Sequence, residues 1–172
     1  MNRSRPETLL PERRAIRTLT LPSLIRLITE IDDYGPISHQ KGSLQGAFGD
    51  LTPGQLRHAI DIARDLGLVH ADEQAPDRYR LTASGEDLAE VYDTVARWAR
   101  ARHFPDTTVD FVTRVQHTLQ LTSRSPQTGV SNLEPSAPHQ VVTEFLQAHP
   151  RVLNRAGVGS SHEEALGAGR AA

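Results

Sequence analysis

Residues 50–102 constrain the fold more than any other part of the chain, because their signals allow one order of elements. Thr52-Pro53-Gly54-Gln55 opens a helix and Leu66-Gly67-Leu68-Val69 closes it; Tyr79-Arg80-Leu81-Thr82 then ends a hairpin and starts a longer helix. At the first start the Thr52 hydroxyl can accept from the backbone N–H three residues on, while the Gln55 side chain reaches back. Pro53 stands in the first turn, where its missing N–H costs nothing. Leu56, Ile60, Ala63 and Leu66 recur at spacings of three and four, a single buried stripe, and Gly67 supplies the stop. The opposite face carries Arg57, His58, Asp61, Arg64 and Asp65.

Residues 68–72 and 78–82 alternate as paired strands joined by Glu73-Gln74-Ala75-Pro76-Asp77. Tyr79 and Leu81 share one face of the second strand, Arg78 and Arg80 the other. Thr82 caps a helix running to about Ala101, with Leu88, Val91, Val95 and Trp98 on one stripe. Upstream, Leu24, Leu27, Ile28 and Ile31 predict a core helix over 22–34, begun by Pro22 and stopped by Gly35-Pro36. A weaker helix over 40–48 places Leu44 and Phe48 on one face. Gly42 and Gly46 each cost it about 1 kcal/mol relative to alanine, so tertiary packing must hold it.

The helices 40–48 and 53–66, joined by Gly49-Asp50-Leu51 and followed by the hairpin, predict a winged helix-turn-helix. The expected fold is mostly α with a small β-hairpin wing and flanking helices for dimerisation. In such a unit the second helix enters the major groove. Arg57 suits guanine, Gln55 suits adenine, and Thr52, His58 and Asp61 lie on the same DNA-facing side. Arg78 and Arg80 on the wing suit phosphates.

Around this unit, residues 1–20 read as a basic N-terminal arm with a short helical tendency near Pro11–Ile16. It is either a solvated terminus or an arm that packs in a dimer or against the DNA backbone. Residues 21–103 form the winged-helix domain. An additional helix over 104–121, a second candidate for dimerisation, carries Val112, Val115 and Leu119. Residues 122–172 read as a flexible Ser/Thr/Pro-rich linker, a short helix near 140–148 with Val141, Val142, Phe145 and Leu146, and a disordered tail.

Charge tempers the DNA reading. The chain's formal net charge is -2, so nucleic-acid binding must rest on a local arrangement. Across 35–82 five basic residues (Lys41, Arg57, Arg64, Arg78, Arg80) meet six acidic ones (Asp50, Asp61, Asp65, Asp72, Glu73, Asp77). That balance is unusual for a face that lies against phosphates. Lys41 is the only lysine, and the arginine bias with abundant Ala, Gly, Pro and Asp suggests a high-GC bacterial genome. The absence of cysteine excludes disulfides and thiolate chemistry. No apolar run approaches the roughly 20 residues of a membrane span, and the first residues lack a secretory signal, which makes cytoplasm the expectation.

The stretch from 44 to 98 resembles the HxlR family of winged-helix regulators, relatives of the MarR group. The resemblance rests on Leu44 and Phe48; Leu51 and Thr52; Leu56, Ile60, Ala63 and Gly67-Leu68-Val69; Tyr79, Leu81, Thr82, Gly85 and Leu88; and Trp98. It implies a homodimer that sets two recognition helices in adjacent major grooves of a pseudo-palindromic operator and acts as a repressor or recruiter at a promoter. It places Val91, Val95 and Trp98 across the two-fold axis, with intrachain core as the competing placement. The MarR-like likeness further implies a small-molecule effector at the dimer interface. Three features depart from the family: Lys41 stands where an aromatic is common, the N-terminal cysteine segment is absent, and Pro76 occupies a position that is often basic.

Eight histidines form no His-x-x-x-His pair or His-Glu-x-x-His helix, and no Gly-rich phosphate loop follows a strand. The expectation is a non-catalytic protein with no metal and no cofactor. The alternative to DNA binding is a winged-helix protein-interaction module, with 141–146 as a partner helix.

Overall fold

The computed structural model describes residues 9–38, 51–123 and 137–158. In chain order these form α1 (Leu9–Leu19), α2 (Pro22–Tyr34), β1 (Ile37–Ser38), α3 (Pro53–Asp65), β2 (Val69–Ala71), β3 (Arg78–Leu81), α4 (Ala83–Ala101), α5 (Phe111–Ser123), α6 (Ala137–Ala148) and α7 (Pro150–Val158). The described chain is mostly helical, with one small antiparallel sheet in the order β1-β3-β2.

The helix start at Thr52 forms as the residue types require. Thr52 Oγ1 accepts from the Gln55 N–H at 3.2 Å, and the Thr52 N–H donates to Gln55 Oε1 at 2.9 Å. Leu56, Ala59, Ile60 and Ala63 turn inward, mainly against α2. Gly67, at φ +74°, ends the turn in the left-handed region. The hairpin register pairs Val69 with Leu81, His70 with Arg80 and Ala71 with Tyr79, so Tyr79 faces the core while Arg78 and Arg80 face solvent.

Thr82 joins the hairpin to α4. Its backbone N–H donates to the Leu68 carbonyl at 2.9 Å, its hydroxyl donates to the Gly67 carbonyl at 2.6 Å, and the same oxygen accepts from the Gly85 N–H at 3.2 Å. One threonine thus caps α4 and fixes it to the strand that follows α3. Strand β1, only two residues long, pairs Ile37 with Tyr79 and closes the other side of β3. No alternation can be read in two residues, which is why the sequence did not announce it.

The core is centred on α4, which packs against α2, α5 and α6. Tyr92 is fully buried there and donates its hydroxyl to the Leu19 carbonyl at 2.8 Å, and burial pushes its phenol pKa well up. Arg114 on α5 is also buried, yet among the described residues its side chain meets carbonyls only. Its guanidinium donates to Phe104 O at 2.7 Å, Asp106 O at 2.9 Å and Val109 O at 3.2 Å, drawing residues 104–110 onto the helix.

Several boundaries differ from the sequence reading. The segment read as a solvated or binding arm forms α1, whose Ala15, Ile16 and Leu19 are buried, chiefly where the helix meets α7. Its arginines concealed an apolar stripe with a period of about four. The helix expected over 104–121 begins only at Phe111, because Asp110 caps it: Asp110 Oδ1 accepts from the Thr113 N–H at 3.0 Å. The segment read as linker, short helix and tail contributes α6 and α7, and their Val142, Phe145, Leu146, Val152 and Ala156 belong to the same core. The helix expected over 40–48, most of the linker and the end of the tail lie outside the described residues.

Candidate nucleic-acid interface

The packing of α3 leaves one long polar face outward. Thr52, Gln55, Arg57, His58 and Asp61 are all exposed. Arg57 makes no ion pair with a described residue, so its guanidinium fork remains available. Thr52 and Gln55 are already engaged in the reciprocal cap, so Gln55 can present its amide to a base only by releasing its hold on the helix start. Arg64, two turns beyond Arg57, stands 5.9 Å from the centre of the Tyr79 ring, which ties the outer side of α3 to the hairpin.

On the hairpin the two expected arginines differ. Arg78 is exposed and unpaired among the described residues. Arg80 reaches back to the buried Asp72 carboxylate at 3.1 Å. The Gln74 backbone N–H, and Arg80 after it, hold the Asp72 pKa below its ordinary 3.8. Asp77 accepts from the Ser38 hydroxyl at 3.2 Å, and Asp65 lies 3.5 Å from Arg155 on α7. Three of the six acids that weigh against phosphate contact are therefore occupied within the chain. The cost is that Arg80 and Arg155 are occupied with them.

The residues assigned to a two-fold interface are placed differently. Val95 is fully buried and Val91 nearly so, on the side of α4 that α5 and α6 cover. Neither keeps surface for a second protomer; the apolar stripe that suggested a dimer seam is used up by helices the sequence reading had set apart. Trp98 is half-buried, with the Arg102 guanidinium 4.2 Å from its ring centre.

One constellation has no local signal in sequence. His149, between α6 and α7, has Nδ1 at 3.0 Å from Ser84 Oγ and Nε2 at 2.8 Å from Asp87 Oδ2. A serine, a histidine and an aspartate in line invite a nucleophile reading. The surroundings argue against it. The amides beside Ser84 that would receive an oxyanion are spent, Gly85 N–H on Thr82 Oγ1 and Glu86 N–H on the Thr82 carbonyl. The Asp87 side chain is 58% exposed, so water weakens its hold on the imidazole. The set fastens the α6–α7 corner to the first turn of α4. Among the described residues no three His, Cys, Asp or Glu side chains gather as a metal-holding group, and no helix is long and apolar enough to cross a membrane.

No protein-family model, curated protein or solved structure matches this chain.

Proposed function

We propose that the chain is a sequence-specific DNA-binding regulator of the winged helix-turn-helix kind, with α3 as the recognition helix and the β2–β3 hairpin as the wing. The observation that carries this reading is the outward face of α3. A tightly capped helix start presents Arg57, unpaired among the described residues, beside a hairpin that shows Arg78 to solvent. Recognition helices contact base edges with their first turns, and those turns are the part of α3 farthest from α7. The internal pairing of Asp65, Asp72 and Asp77 lessens the charge objection. The protein acts as a cytoplasmic bacterial homodimer on a pseudo-palindromic operator, with no catalysis. Its interface draws on Trp98 and surfaces other than Val91 and Val95.

Fluorescence anisotropy against genomic fragments tests the reading. Tight binding that weakens steeply with salt, and that collapses in Arg57→Ala, is the expected result. Binding seen only at low salt and indifferent to sequence and to Arg57 favours a second reading, a protein-interaction module. That reading draws support from the charge balance of the outer face of α3, where Arg57 and Arg64 stand against Asp61 and Asp65.

A further inference from the structure

Between the outer side of α3 and the α1–α7 pair lies a cavity of about 450 Å³. That volume falls in the range of small-molecule sites. His58, Asp61, Ile62 and Asp65 line one wall, their spacing of three and four marking a single helical face. Arg17, Thr18 and Leu21 from the end of α1 and the turn after it form the second wall, and Arg155 and Ala156 of α7 the third. Three segments distant in sequence thus converge on a space that none of them fills.

The lining separates by chemistry. Leu66 and Ala156 are buried and Leu21 and Ile62 half-buried, an apolar floor, while Arg17, His58, Asp61, Asp65 and Arg155 are exposed above it. Arg17 makes no ion pair with a described residue. Arg155 holds Asp65 only at 3.5 Å, with both side chains more than half exposed, a contact that an entering anion can displace. Each of these two guanidinium groups can fork to a carboxylate. Asp61 and Asp65 on the same rim set the upper bound on charge, because a doubly charged phosphate would face both carboxylates. We propose that this cavity binds a small monocarboxylate with an apolar body, its carboxylate held by Arg17 and Arg155 and its hydrocarbon on Leu21, Ile62 and Leu66.

His58 and Asp61 belong to this cavity and to the proposed DNA face alike, so ligand binding is tested without DNA and its failure leaves the DNA reading standing. The full ¹⁵N-labelled chain is titrated with 4-phenylbutyrate and followed by amide chemical shifts. The expected result is a saturable response, with a Kd of about 0.1–1 mM for a ligand of this size, centred on His58, Ile62 and Arg155. Arg17→Ala, at an exposed position, weakens binding at least about tenfold. Arg155→Ala does the same, and Ile62→Trp, which fills the floor, removes it. 4-Phenylbutylamine and inorganic phosphate leave these amides unmoved. The proposal is overturned if phenylbutyrate produces no saturable shifts or shifts centred elsewhere. It is also overturned if the amine or phosphate binds equally well, or if Arg17→Ala binds like the parent chain.

Discussion

Gly85, in the first turn of α4, lies so close to the carbonyl oxygen of Leu68 that any Cβ placed on it would overlap that oxygen. The same Cβ would also stand 3.2 Å from the Leu81 Cβ. The close approach lets Thr82 bond to both Gly67 and Leu68, so glycine here serves contact between elements rather than backbone freedom.

Gly85→Ala is therefore expected to force α4 away from β2 at a cost of about 1–3 kcal/mol, the range for overpacking a tight site. In a chain of this length that lowers Tm by several degrees. Thermal denaturation followed by circular dichroism measures it; an unchanged Tm shows that the approach is looser in solution.

Arg114→Lys is expected to destabilise by about 2–3 kcal/mol. A single ammonium on a flexible stem cannot reach the carbonyls of Phe104, Asp106 and Val109 together. Urea unfolding should show a lower midpoint at an unchanged slope, while the neighbouring exposed His117→Ala stays near the parent value.

Two aspartates should give opposite acid responses. The Asp72 carboxyl is held below 3.8 by the Gln74 N–H and by Arg80, so its contribution is whole above 3.8 and fades as pH falls through the lowered folded value. Asp32 is raised, by burial first and then by Asp33, Asp93 and Glu86, so its ionised form weakens the fold at neutral pH. Asp72→Asn should then lower Tm at pH 7 and Asp32→Asn should raise it; the Asp32 difference closes as pH falls from its raised folded value towards 3.8, the Asp72 difference only below 3.8. Parallel shifts of the same sign in the two variants would contradict this.

If α3 reads DNA, Arg57→Ala should cost about 1–3 kcal/mol on the preferred site and relax its selectivity. Arg78→Ala should weaken all sequences alike and reduce the salt slope by about one. Arg80→Ala should affect DNA least of the three, because its guanidinium is held by Asp72. Anisotropy over a salt series distinguishes these three patterns.

What could be read from the residues alone was local. The Thr52–Gln55 cap, the Gly67 stop, the inward Tyr79 and the Thr82 cap each depend on side chains within four positions, and each stands in the structure where the spacing indicates. What failed was partnership at a distance. The stripe of Val91 and Val95 announced that something covers α4 without saying that α5 and α6 of the same chain do so. His149 gave no signal because Ser84 and Asp87 lie more than sixty residues away. The cavity, built from α1, α3 and α7, was invisible for the same reason.

The pairing of α1 with α7 has a consequence for how the chain is made. The apolar side of α1 emerges from the ribosome about 130 residues before the helix that covers it. At about 5–20 residues per second that leaves Ala15, Ile16 and Leu19 without their chief cover for roughly 6–26 seconds. During synthesis the arginines beside that stripe keep the nascent segment in water.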